Sequence, residues 1–203
     1  NDDAIAWYEN NGASDPSWTA ADIATSADGA LSVFAADMDN DGDIDLLSTS
    51  IGDDAIAWYE NNGASDPSWT AADIATSAIN PASVIAADID NDGDMDIVSA
   101  SYGDDAIAMY INNGASDPSW TATDIATSAD GANSVFAADI DNDGDMDIVS
   151  GSYDDDAIAW YENTPPQTTL TFNYTVASGN TSSDLDYGST SALALNSGTI
   201  NDA

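Results

Sequence analysis

The densest chemistry in the chain lies in nine residues, Asp37-Met38-Asp39-Asn40-Asp41-Gly42-Asp43-Ile44-Asp45. They return as Asp88-Ile89-Asp90-Asn91-Asp92-Gly93-Asp94-Met95-Asp96 and as Asp139-Ile140-Asp141-Asn142-Asp143-Gly144-Asp145-Met146-Asp147, at a constant offset of 51 residues. Five acids in nine positions repel one another unless a cation sits among them. Spacing by two lets the first, third and fifth side chains converge while the backbone wraps an ion. The glycine at the sixth position supplies the sharp turn. The seventh residue then offers its backbone carbonyl, and the ninth closes the shell with a carboxylate. The expected ligands are Asp37, Asp39, Asp41, Asp43 through its carbonyl, and Asp45. In the second loop they are Asp88, Asp90, Asp92, Asp94 and Asp96, and in the third Asp139, Asp141, Asp143, Asp145 and Asp147.

Hard oxygen ligands in this number suit Ca2+, whereas Mg2+ demands stricter geometry and keeps more of its water. About three calcium ions are expected, one per loop. The loop is not an EF-hand, because its twelfth position is Ser48, Ser99 or Ser150 and β-type sequence follows. A salt-adapted acidic surface would scatter its acids, whereas here one spacing repeats with glycine fixed inside it.

Composition excludes most alternatives. The 203 residues contain no Lys, Arg, His or Cys and carry a formal charge of −38. Without His, Cys or Lys there is no Ser-His-Asp or Cys-His nucleophile, no Schiff base and no ordinary zinc site. Paired carboxylates could hydrolyse glycosides, but the obvious pairs are assigned to metal. A non-enzyme is therefore expected. Nucleic-acid phosphates and anionic lipids would be repelled, and no apolar run approaches membrane-spanning length. Metal ions and salt must supply all countercharge, so folding should depend on them. Low-affinity calcium loops point to an extracellular or cell-surface location, where calcium is plentiful. Beginning at Asn1, the chain is expected to be processed or a fragment.

The elements that must position these loops also repeat. Asp3-Ala4-Ile5-Ala6-Trp7-Tyr8-Glu9-Asn10 recurs from Asp54, from Asp105 (with Met109 for Trp) and from Asp156. Each unit reads as four strands: residues 32–36 entering the acidic loop, 44–49 leaving it, then the equivalents of 4–8 and 18–24. In the third strand, period two puts Ile5 and Trp7 on one face and Ala4, Ala6 and Tyr8 on the other. Both faces are apolar, so the strand is expected to be covered on both sides. The recurring Trp and Tyr read as core between stacked units in preference to a sugar-stacking platform. Asn10-Asn11-Gly12-Ala13-Ser14-Asp15-Pro16 is a turn-rich loop. A period near 50 with short β segments fits four-stranded propeller blades.

The run from Val33-Phe34-Ala35-Ala36-Asp37 through Asp45-Leu46-Leu47, followed by Ile56-Ala57-Trp58-Tyr59-Glu60-Asn61, resembles the FG-GAP/VCBS repeats of bacterial surface proteins, relatives of the integrin α-subunit propeller. The resemblance covers residues 1–163. It implies an all-β fold of repeated four-stranded antiparallel, β-propeller-like blades with calcium in the hairpin between the first two strands. Three acidic loops are fewer than the roughly four blades needed for closure. The chain is thus expected to be a piece of a longer one, or a stack whose unlike ends join in an open fibre.

Residues 164–203 change character. Thr164-Pro165-Pro166 reads as a linker. Leu170-Thr171-Phe172-Asn173-Tyr174-Thr175-Val176 and Ser191-Ala192-Leu193-Ala194-Leu195 read as strands of a partial Ig/cadherin-like or strand-donating segment. The functional expectation is a non-catalytic extracellular calcium-binding repeat protein with a structural or adhesive role, as the self-associating subunit of a surface fibre. The alternative is an integrin-like or lectin-like propeller that binds a cell-surface protein or glycan.

Overall fold

The structure, a computed structural model, describes residues 3–164. The expected partial Ig/cadherin-like segment lies outside these residues. Among the described residues every regular element is a strand. A pair, β1 (Ile5–Asn10) and β2 (Trp18–Ala24), comes first. The sheet β3 (Ala30–Ala36), β4 (Asp45–Ser50), β5 (Ala55–Asn61) and β6 (Trp69–Ala75) follows. A second four-stranded sheet holds β7 (Pro81–Ala87), β8 (Asp96–Ser101), β9 (Ala106–Asn112) and β10 (Trp120–Ala126). The last holds β11 (Ala132–Ala138), β12 (Asp147–Ser152) and β13 (Ala157–Tyr161). Every pairing is antiparallel between chain neighbours, giving up-and-down sheets that do not close on one another.

Strand bounds shift slightly from the sequence reading. β3 begins at Ala30, where it pairs with Ser50 across a bulge before Ser32. β4 begins at Asp45, because Ile44 stays in the loop and is 53% exposed. β5 runs to Asn61, which pairs with Trp69. The turn after it is held by side-chain amides. Asn61 Oδ1 accepts from the Gly63 N–H, and Asn62 Oδ1 accepts from the N–H groups of Ala64 and Ser68. Asn and Asp favour such turns because their short side chains substitute for backbone partners.

The sheets pack face to face, with the leading strands β3, β7 and β11 adjacent in series. One face of the β3–β6 sheet contributes Leu47, Ile56 and Trp58 to a core shared with Val84, Ile97 and Tyr110 of the next sheet. The equivalent core beyond joins Val98 and Ile107 to Val135 and Ile148. Ala57 and Tyr59, on the opposite face of β5, pack with Ile5. Strand β5 is therefore covered on both sides, and its Trp58 and Tyr59 are core residues. The outer faces differ. Val33 is 57% exposed, although its equivalents Val84 and Val135 are buried. Ile158 is 86% exposed and Trp160 half exposed, although Ile56, Ile107 and Trp58 are buried.

Candidate metal centre

Each acidic loop joins the first two strands of a sheet, so antiparallel pairing fixes both of its ends: Ala36 faces Asp45, Ala87 faces Asp96 and Ala138 faces Asp147. Inside the loop the carboxylates organise the backbone. Asp39 Oδ1 accepts from the Asp41 N–H at 3.2 Å, and Asp41 Oδ1 from the Asp43 N–H at 2.8 Å. Asp37 Oδ2 accepts from the Gly42 N–H at 3.0 Å. The other two loops repeat these bonds. Gly42, Gly93 and Gly144 hold φ of 95°, 99° and 101°, a conformation that glycine supplies without a Cβ penalty.

These bonds use one oxygen of the leading aspartate and leave the other free. Asp37 Oδ1 and Asp88 Oδ1 are buried and have no hydrogen-bond donor. A buried carboxylate oxygen without a partner is costly, and a cation is what would satisfy it. Around it the loop brings Asp37, Asp39 and Asp41 together in the first repeat, and Asp139, Asp141 and Asp143 in the third, each offering an oxygen within 4.8 Å of the others. In the second repeat the group is Asp88, Asp90 and Asp96, so there the ninth position converges in place of the fifth. These three clusters could hold metal ions, and their all-oxygen donor sets fit a hard divalent cation.

The remaining expected ligands take other roles as side chains. Asp45 is fully buried. Its Oδ1 accepts from the Asn61 N–H at 2.8 Å and its Oδ2 from the Met38 N–H at 3.2 Å, tying the loop to the end of β5. Asp147 makes the same pair of bonds, and so does Asp96, which converges with Asp88 and Asp90 as well. The side chains of Asp94 and Asp145 point out of their own loops and accept from Asn40 and Asn91 of the preceding ones. Only their backbone carbonyls, and that of Asp43, are expected from the sequence to face an ion.

Electrostatics point the same way. Burial, reinforced by neighbouring carboxylates and opposed by backbone N–H bonds, pushes the Asp39, Asp45, Asp90 and Asp96 carboxyls above the usual aspartate value of 3.8. Asp147 is held below it, chiefly by the Asn163 N–H. The Trp58 indole N–H leans toward Asp45 and favours its charged form, while falling short of hydrogen-bond geometry.

Two sets of residues here escaped sequence reasoning. Asn40, Asn91 and Asn142 occupy the fourth loop position at φ of 60°, 60° and 63°, which Asn tolerates better than most residues. Asn61, Asn112 and Asn163, closing the third strand, bridge to loop carbonyls. The signal was present, since both asparagines return at every 51-residue step. Asp54 and Asp105 accept from the N–H groups of Asn80 and Gly131 and so brace turns.

An all-β stack of antiparallel sheets, two of them four-stranded among the described residues, with an aspartate loop between the first two strands of three sheets, defines a propeller-like repeat protein. The family model for the FG-GAP-like repeat matches residues 1–48, 37–99 and 90–150. The chain belongs to the FG-GAP-like repeat family. No curated protein matches it.

Proposed function

We propose that this chain is a non-catalytic, extracellular, calcium-binding structural repeat protein whose stacked sheets associate end to end into a surface fibre. The observation that carries the calcium part is the pair of buried, donorless oxygens, Asp37 Oδ1 and Asp88 Oδ1, each inside a loop of five aspartates. No Lys, Arg or His exists anywhere in the chain to compensate them. A bound ion would supply positive charge and a fixed centre for the loop. The protein's part is to present the oxygens. The loop N–H groups hold Asp37, Asp39 and Asp41 in place, and the ninth aspartate anchors the loop to the third strand.

The end-to-end part is supported by the two open faces. The exposed Ile158 and Trp160 repeat the residues that Ile56 and Trp58 contribute to an internal interface, and the exposed Val33 repeats Val84 across it. An open face of one molecule thus offers what the internal interface already uses. An apolar groove of about 330 Å³, lined by Ile5, Trp7, Leu31, Val33 and Leu46, lies beside the Val33 face. Unlike faces that meet in this way propagate instead of closing.

Sedimentation velocity in millimolar calcium, repeated after chelation, tests both parts. A fast-sedimenting polymer that collapses on chelation is expected. A compact monomer in calcium would remove the fibre and favour a propeller that displays a site for a protein or glycan. Sedimentation and melting indifferent to calcium would remove the metal role as well.

A further inference from the structure

The acidic loops of successive sheets are bonded to one another. The Asn40 side-chain amide, at the fourth position of the first loop, donates to Asp94 Oδ1, at the seventh position of the second. Asn91 donates in the same way to Asp145 Oδ1 in the third loop. A second tie runs in parallel. The Asn112 amide donates to the carbonyl of Met38 in the first loop at 2.9 Å, while its backbone N–H donates to Asp96 Oδ1 of the second at 2.8 Å. Asn163 joins Ile89 to Asp147 likewise.

Each tie lands beside expected ligands. Asn40 lies between Asp39 and Asp41, and Met38 between Asp37 and Asp39. Asp94 is the residue whose backbone carbonyl is assigned to the second ion, and its N–H also braces Asp92. Ordering one loop therefore fixes the donor that holds the seventh residue of the next. The loop least enclosed by such contacts is the third. Its second-position Ile140 is 44% exposed, whereas Met38 and Ile89 are buried. Asn142 has no corresponding acceptor among the described residues.

We propose that the three loops take up divalent cations cooperatively, with occupancy of one loop transmitted to the next through the Asn40–Asp94 and Asn91–Asp145 hydrogen bonds. The inference rests on the reading that these loops hold cations. The chemical logic is shared ordering: a loop already held by its neighbour loses less freedom when it closes on an ion. Charge works in the opposite direction, because each ion bound weakens the field that attracts the next. The two effects separate by ionic strength, since contacts survive screening and long-range fields do not.

The test is calcium titration calorimetry on the full chain in about 0.5 M KCl, where the screening length lies between about 3 and 8 Å. The parent is compared with the double variant Asn40→Gly/Asn91→Gly and with Asn142→Gly. Glycine keeps the positive φ and removes only the amide. The parent isotherm is expected to be steeper than that of independent sites, each ion tightening the next by roughly fivefold, the low end for coupled sites. The double variant should bind as many ions with the steepness lost, and Asn142→Gly should remain steep. A second pair, Asp94→Ala/Asp145→Ala, removes the acceptors while keeping the backbone carbonyls assigned to the ions; whatever ion count it retains, its steepness should be lost. Steepness unchanged in both pairs, or lost equally in Asn142→Gly, would overturn the proposal while leaving calcium binding intact. A parent that takes up no calcium would overturn the underlying metal reading too.

Discussion

The side-chain amide of Asn112 donates to the backbone carbonyl of Met38 at 2.9 Å, across 74 positions of sequence and between neighbouring sheets. The same amide reaches the Met95 carbonyl at 3.1 Å, and the same residue's N–H holds Asp96. One buried asparagine thus fixes two acidic loops at once. The side-chain N–H of its equivalent Asn61 reaches only the Ile44 carbonyl of its own sheet.

This difference sets the first prediction. Asn112→Ala leaves the Met38 carbonyl in the interface without that donor, and should cost about 1–3 kcal/mol, the range for an unsatisfied buried group. Asn61→Ala, which loses two exposed local bonds, to the Ile44 carbonyl and from the Gly63 N–H, should cost about 0.5–1.5 kcal/mol. Urea unfolding in calcium measures both, with the slope unchanged and the midpoint shifted. Equal shifts would mean that the bond between sheets adds nothing.

A second prediction concerns pH. In the ion-free protein the carboxyls of Asp39, Asp45, Asp90 and Asp96 titrate above 3.8, mainly because burial disfavours their charge. A group raised in this way contributes stability below pH 3.8 that is lost as pH rises through its folded value. Asp147, held low by the Asn163 N–H, acts in the opposite sense, but it stands against these and against Asp104, Asp130 and Asp141, which are raised as well. The melting temperature of ion-free protein should therefore fall as pH rises from about 4 toward neutrality. With saturating calcium the slope should reverse, because the ion requires the ionised carboxylates. Parallel slopes with and without calcium would show that these loops hold no ion.

The third prediction isolates backbone conformation. An added Cβ at Gly93 would meet no atom within 4 Å, so space is not at issue, yet its φ is 99°. Gly93→Ala should destabilise by about 1–3 kcal/mol, the usual strain for a side chain held in that region. The Asp88 Oδ2 bond to its N–H should loosen as well, so calcium affinity at the second loop should fall with stability. Thermal melting and calcium titration of the variant read the two effects separately.

The strand plan was legible because its signals are local. Period-two apolar residues in Ile56-Ala57-Trp58-Tyr59 and turn residues in Asn61-Asn62-Gly63 appear in any short window, and the 51-residue step orders them. The aspartate spacing likewise announces that side chains converge on a common centre. It does not announce which ones. Both oxygens of Asp45 are drawn to backbone N–H groups, and the second loop recruits Asp96 where the first recruits Asp41. The partners of these loops are distant: Asp45 is held by Asn61, 16 positions away, and the Met38 carbonyl by Asn112, 74 positions away. The exposure of Trp160 beside the burial of Trp58 was hidden for the same reason. Identical residues differ in what surrounds their strands, since β5 has a strand on each side and a sheet over its Trp58 face, whereas β13 ends its sheet among the described residues.

That contrast gives the fourth prediction. Trp58 is 5% exposed and packs among Leu47, Ile56 and Val84, so Trp58→Ala should cost about 3–5 kcal/mol through lost burial and a cavity. Trp160 pairs with Val149 as Trp58 pairs with Leu47, but β13 is the edge strand of its sheet among the described residues, and Trp160 is half exposed with Ile158 beside it 86% exposed. Ile158→Asp should therefore leave the monomer's melting temperature nearly unchanged, within the range of about 0.5 kcal/mol usual for surface substitutions. If this face meets Val33 of a second copy, the same change places a carboxylate in an apolar joint. The calcium-dependent fast-sedimenting species should then disappear, although each molecule still folds and binds its ions. Polymer that persists in Ile158→Asp would show that the joint lies elsewhere. Loss of folding in this variant would show that the face is already covered within a single molecule.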